Sequence, residues 1–258
     1  MALVEIAVGE NVGTLTMNYR KKHNALCAAL VDELCAAFGE LGRQRVRAVI
    51  LRAVKGVDVW SAGHDVDELP LRRDPLGWDD PLRHLIREIE HFPAPVIAMI
   101  EGTVWGGASE TAFACDLIVA APSVTFAVTP ARLGVPYNVS GMLTFLNSAD
   151  IRIVKEMAFT AKPMSAQRAE KLGIINYVVP GDELEAFTLG LARDIAANAP
   201  LSISVMKEQL RILAGAQTMS PEKFEQVQGL RRVVYDSHDY EEGINAFKEK
   251  RAPQFRGE

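Results

Sequence analysis

The sequence predicts an α/β protein with a mostly parallel sheet and a predominantly helical C-terminal part. Three observations carry this. Strand-like and helix-like segments alternate up to about residue 150. The strand-like segment 46–54 has a continuous apolar centre, the pattern of a strand buried on both faces, and 95–100 is another short strand. Beyond about residue 150 nearly every segment has helical spacing, with one short strand-like exception at 174–179.

The elements follow in order. Residues 3–8 and 12–17 flank a Gly/Asn turn and read as a hairpin. Leu30, Leu34, Ala37, Phe38 and Leu41 lie at helical spacing and predict a helix over 28–42. The strand at 46–54 leads into a loop carrying WSAGHD, and a helix after DPLGWDDP stops before Pro93. The strand at 95–100 precedes a Gly-rich turn, Gly106-Gly107, that opens a helix running to about Ala114. DLIVAA reads as a strand, with a short one near Thr125–Phe126. MSAQRAEKLG reads as a capped short helix ending at Gly173. Helices are predicted at 183–197, 200–213, 221–235 and 239–250.

Composition narrows the function. The chain has 258 residues, 48% of them hydrophobic, so a large core is available and disorder is disfavoured. A net charge of -5 with no basic stripe argues against nucleic acid as a partner. Three cysteines, Cys27, Cys35 and Cys115, are odd in number and have no CxxC spacing, which argues for a reducing compartment, and buried packing is the expectation for Cys27 and Cys35 on their helix. The N-terminus lacks the basic start and apolar run of a signal peptide, and no apolar run is long enough to cross a bilayer. The expected location is cytoplasmic, with no membrane partner.

Five segments then carry a resemblance in order: RKKHNAL (20–26), SAGHD (61–65), GTVWGGASETAFACDLIVAA (102–121), LGVPYN (133–138) with AQRAEKLGIINYVV (166–179), and GINAFKEKR (243–251). Together they resemble the crotonase (enoyl-CoA hydratase/isomerase) superfamily over nearly the whole chain. The resemblance implies a spiral of ββα turns as a core domain over 1–195, holding the active site. It implies a C-terminal helical region over 196–258 for oligomerisation, as a homotrimer or dimer of trimers, and for CoA contacts. The implied substrate is a coenzyme A thioester, with no metal, biotin or nicotinamide as cofactor.

The same resemblance implies a site. Two backbone N–H groups, of His64 and Gly107, form the superfamily's oxyanion hole for a thioester enolate. Gly106 and Gly107 leave room for a substrate carbonyl, and the helix they open aims its N-terminal N–H groups at it. Each such donor is worth roughly 2.7–4 kcal/mol. The structural alternative is a plain tight turn. Ala62 and His64 fall where the superfamily contacts pantetheine, Lys21 and Lys250 where it approaches CoA phosphates, and Phe247 near the adenine. For each lysine the alternative is a solvated charge, and for Phe247 a subunit contact.

A hydratase needs two carboxylates, one for water and one for the α-proton. The first falls on Glu110; the second falls on Pro130, which has no titratable group, and Ala131 beside it has none either. Decarboxylation needs no base to form the carbanion. It needs an oxyanion hole and a grip that turns the carboxylate out of the thioester plane. The expected activity is therefore a carbon–carbon lyase, a carboxy-lyase; methylmalonyl-CoA or malonyl-CoA as its substrate is what the resemblance implies. Tyr137 matches the residue that grips the carboxylate in decarboxylating members, against the alternative of a core tyrosine. The His64 ring is a second candidate donor to the carboxylate, against the alternative of a ring that packs outward, and Trp105 is a candidate apolar wall, against plain packing beside the glycine turn. An ionised Glu110 would repel the substrate carboxylate, and Arg83 on the 81–91 helix is the candidate cation to hold it aside, against the alternative of a solvated surface arginine. Two other readings stay open: an enoyl-CoA isomerase using Glu110 as its single base, and a non-catalytic CoA-binding protein.

Overall fold

A computed structural model describes residues 2–71, 73–216 and 218–258. Ten strands and ten helices are defined among them, in the order β1 (Val4–Gly9), β2 (Val12–Met17), α1 (Ala28–Arg43), β3 (Ala48–Ala53), β4 (Val59–Ser61), α2 (Pro81–His91), β5 (Val96–Ile100), β6 (Thr103–Trp105), α3 (Gly107–Ala114), β7 (Leu117–Ala120), β8 (Thr125–Ala127), α4 (Val139–Ser148), α5 (Ile151–Thr160), β9 (Met164–Ser165), α6 (Ala166–Lys171), β10 (Tyr177–Val178), α7 (Leu184–Ala197), α8 (Pro200–Ala214), α9 (Pro221–Tyr235) and α10 (His238–Lys248).

The strands form two sheets. The larger has the order β1-β2-β3-β5-β7-β10 and the smaller β4-β6-β8-β9. Only β1 with β2 and β8 with β9 pair antiparallel. Successive strand pairs, β3/β4, β5/β6 and β7/β8, each send the first strand to the larger sheet and the second to the smaller. A helix follows two of these pairs before the chain returns to the larger sheet. This is a spiral of ββα turns. Its cause is visible in the sequence: β3 and β5 are apolar on both faces because helices and the second sheet cover them.

Four elements depart from the sequence reading. β4 lies inside the segment read as a loop, and β6 inside the turn before the glycines; both are three residues long, too short to show a period of two. α4 was not foreseen, and α5 falls in a stretch read only as generally helical. The boundary expected at 195/196 falls within α7, two residues short of its end, and α7 packs on β3 and β5 of the core.

α3 explains how a charged helix can run through the centre. Gly107, Ala108, Ser109, Thr111 and Ala112 are small, so the helix is buried on all sides from Gly107 to Phe113. α2 is amphipathic, capped by Asp80 with Pro81 at its first position, and its buried face carries Arg83 among Leu82, Leu85, Ile86 and Ile89. α10 packs on the 3-10 turn at Pro130–Leu133, with Tyr240 and Ile244 in the core. α8 and α9 instead expose Leu201, Leu210, Leu213, Leu230 and Val233, each more than half accessible. Cys27 and Cys115 are buried; Cys35, expected to be buried, is only partly so, and all three are free thiols. Among the described residues no helix is long and apolar enough to cross a membrane.

Candidate active site

The site forms where the ends of β4 and β6 meet the start of α3. A cavity of about 550 Å³ opens there, with mainly apolar walls that include Leu69, Leu76, Leu82, Trp105 and Val135.

The SAGHD loop is fixed from both sides. Asn24 is buried; its amide oxygen accepts from Tyr19 N at 2.7 Å and its Nδ2 donates to Trp60 O at 2.9 Å. Ser61 Oγ donates to Asn24 O at 2.7 Å, and Ala62 N and Leu26 N complete the strap on His23 O and Gly63 O. Gly63 is required at its place. Its φ is +84°, and a Cβ there would stand 2.3 Å from Trp105 O. This close approach sets the His64 N–H beside the first turn of α3: a Cβ on Gly63 would lie 3.0 Å from Gly107 N, and one on Gly107 3.4 Å from His64 N. Gly107 N is the first N–H of a helix, which has no acceptor within that helix. The two N–H groups expected to form an oxyanion hole are thus neighbours on the cavity wall, at the positive end of a buried helix.

Glu110 stands one turn into α3, fully buried and not on the cavity wall. One carboxylate oxygen takes a hydrogen bond from Arg83 Nη1 and the other from the Tyr137 hydroxyl. Arg83 therefore holds Glu110 as the sequence reading anticipated. Burial raises the Glu110 carboxyl above its ordinary value, against the pull of Arg83 and of the Tyr137 hydroxyl. Burial and the Glu110 charge push the Tyr137 phenol well above its usual value, so it stays neutral.

Two candidate donors to the substrate carboxylate have protein partners here. The Tyr137 hydroxyl is hydrogen-bonded to Glu110. What Tyr137 offers the cavity is its ring, packed against Phe145 at 5.6 Å between centroids. The His64 ring was a candidate donor to the same carboxylate, but both its nitrogens are engaged. Nδ1 lies 3.0 Å from Asp65 O and Nε2 lies 2.7 Å from Asp80 Oδ2.

The remaining candidates divide. Ala62, Trp105, Gly106 and Phe247 line the cavity, and Pro130 occupies the wall where a second carboxylate was sought. Trp105 is oriented by an Nε1 hydrogen bond to Thr103 Oγ1 at 2.8 Å. Lys21 and Lys250 are exposed and lie off the cavity. The 3-10 turn at Arg20–Lys22 points Lys22 to the cavity in place of Lys21, where it pairs with Asp65 at 2.7 Å and Asp67 at 3.3 Å. Arg132 at the cavity wall was also missed; TPARLG showed the residue but not the turn that carries it there.

A family model for enoyl-CoA hydratase/isomerase matches residues 7–258. The chain belongs to that family. It is 51% identical over 255 residues to the methylmalonyl-CoA decarboxylase of Escherichia coli (strain K12), covering 98% of each sequence. A solved structure of methylmalonyl-CoA decarboxylase in complex with 2-nitronate-propionyl-CoA has the same fold, with a TM-score of 0.98 at 50% identity over 99% of both chains. A carnitinyl-CoA hydratase from Mycobacterium avium is more distant, with a TM-score of 0.82 at 27% identity over all of both chains. The crotonase-type spiral expected from the sequence is therefore the fold of this chain.

Proposed function

We propose that this chain decarboxylates methylmalonyl-CoA, or malonyl-CoA, to propionyl-CoA or acetyl-CoA and CO2. The observation that carries the reading is the state of Glu110. A hydratase or isomerase needs that carboxylate facing the substrate as a base. Here it is turned into the protein, held by Arg83 and covered by Tyr137, and Pro130 stands at the other acid position. The likeness to the Escherichia coli enzyme supports the same choice of reaction.

The thioester carbonyl oxygen takes the N–H groups of His64 and Gly107. The bond from the α-carbon to the carboxylate breaks, CO2 leaves, and the electron pair passes through the α-carbon onto the carbonyl oxygen as an enolate. The α-carbon then takes a proton from solvent, so that the malonyl-type carboxylate and one proton give the acyl-CoA and CO2. The ring of Tyr137 and the apolar walls hold the carboxylate out of the thioester plane, in surroundings that favour neutral CO2 over the anion. Glu110 acts through Tyr137 by fixing the ring.

The CoA portion runs out past Ala62 towards Phe247, and Lys22 and Arg132 replace Lys21 and Lys250 as the cations nearest the cavity. The exposed apolar faces of α8 and α9 fit a self-associating protein, a trimer or dimer of trimers, which sedimentation of the purified chain tests.

The deciding experiment is CO2 release from both thioesters by wild type, Tyr137→Phe and Tyr137→Ala. Phe keeps the ring and loses its anchor, a hydrogen bond to a charged group of about 1.5–3 kcal/mol, so kcat should fall about 10- to 100-fold. Ala should fall further. Absence of CO2 release by wild type, with turnover of an enoyl-CoA, would refute the reading.

A further inference from the structure

Asp80 serves both oxyanion-hole donors at once. It is the N-cap of α2: Oδ1 accepts from Leu82 N at 2.9 Å, and Oδ2 meets His64 Nε2 at 2.7 Å. Leu82, fixed by that cap, packs directly on Gly107; a Cβ on Gly107 would stand 2.7 Å from Leu82 Cδ2. The opposite nitrogen of the His64 ring bonds the carbonyl of Asp65, the next residue in the chain. The ring is therefore pinned at both ends, and the backbone N–H of the same residue is one donor of the hole. We infer that Asp80 is a positioning residue for the proposed decarboxylation, bracing the His64 donor through the His64 ring and the Gly107 donor through Leu82.

The brace has a protonation requirement that follows from its acceptors. Asp65 O is a carbonyl and Asp80 Oδ2 a carboxylate oxygen, so both ring nitrogens must donate, and only the doubly protonated imidazolium satisfies both. A neutral ring turns one lone pair towards an oxygen and releases one end. The other charged groups around the ring are Glu68, whose charge favours the imidazolium, and Asp65, whose carboxylate is taken up by Lys22. Burial opposes the charge. The Asp80 carboxylate, the Asp65 carbonyl and Glu68 outweigh it and hold His64 above its ordinary 6.5. The folded value being raised, the brace is intact at low pH and is lost as pH rises through that folded value.

Asp80→Asn separates bracing from charge. Its Oδ1 can still cap Leu82, while its amide nitrogen donates to Nε2 of a neutral ring whose Nδ1 still donates to Asp65 O. Asp80→Ala removes both contacts. The measurements are the pH profile of kcat for CO2 release and a nitrogen NMR titration of the His64 ring, on the full-length folded protein. Wild type should lose kcat on the alkaline side with the pKa of the His64 ring. Asp80→Asn should lose that limb, its His64 titrating at lower pH. Asp80→Ala should lower kcat about a hundredfold, the effect of misplaced donors, with a smaller change in KM.

A purely structural N-cap would change the amount of folded protein without moving the pH profile. The proposal is overturned if Asp80→Asn keeps the wild-type alkaline limb, or if the wild-type His64 ring is neutral below its ordinary value. Because it rests on the decarboxylase reading, the NMR arm is needed. If wild type releases no CO2 from either thioester, that reading fails, and the ring titration, which needs no turnover, still decides the brace.

Discussion

Replacing Glu110 by Gln separates an anchoring role from a chemical one. Glu110 is fully buried and Arg83 nearly so, and the pair lies between α2 and α3. Gln keeps an acceptor for the Tyr137 hydroxyl but strips Arg83 of its counterion. Breaking a buried pair by removing one partner costs about 3–5 kcal/mol. Glu90 also feels the Arg83 charge, which places the expectation towards the lower end, about 3 kcal/mol. For a chain of this size each kcal/mol shifts Tm by about 2–4 °C, so Tm should fall by about 6–12 °C. The catalytic cost is smaller. The Tyr137 bond weakens from a charge-assisted to a neutral one, a loss of about 1–1.5 kcal/mol and so about tenfold in kcat. Thermal melts and CO2 release on the folded variant give both numbers. A Tm within about 2 °C of wild type, together with a kcat loss beyond about 10³-fold, would refute the reasoning, because such a pattern belongs to a general acid or base.

Three further outcomes follow from single contacts. Gly141→Ala places a Cβ 2.3 Å from Tyr137 Cε1, so the ring must move; CO2 release should fall at least about tenfold, against an unchanged Glu110–Arg83 pair seen in a melt close to wild type. Arg231 is buried, pairs with Asp74 and donates from Nε to Pro136 O at 3.2 Å, tying α9 to the segment before Tyr137; Arg231→Met should cost about 3–5 kcal/mol in urea unfolding. Burial first, then the nearby Glu88 and Asp32 charges, push the Cys35 thiol up to about 12, so thiol reagents near pH 8 should label the native protein far more slowly than the unfolded chain. Labelling at the unfolded rate would contradict that burial.

Much of the site was legible because backbone chemistry leaves sequence marks. Gly63 and Gly107 stand in the chain because a Cβ would strike Trp105 O at one and Leu82 at the other. Pro130 marked a missing carboxylate only because the resemblance implied an acid at that position. Charge repulsion named Arg83 as a candidate partner for Glu110 but left a solvated arginine equally open; the packing of α2 on α3 brings the two together. Lys21 was named because the resemblance implied it, and the 3-10 turn at Arg20–Lys22 brings Lys22 to the cavity instead. Tyr137 was given to the substrate because a sequence does not say which acceptor takes a phenol's one proton.

The sequence by itself determined the α/β class and the placement of the major helices, and its motifs carried the family resemblance that implied the pair of backbone donors. The class and the helices depend on periodicity and on turn residues, and the resemblance on motifs in order, all of which lie along the chain. Only the tertiary structure decided that Glu110 faces inward, that Tyr137 is anchored to it, and that Asp80 reaches His64. Each of those contacts joins residues 16 or 27 positions apart across separate elements. Which of several possible partners a buried proton or charge takes is fixed by packing, because only there is water removed as the competing partner.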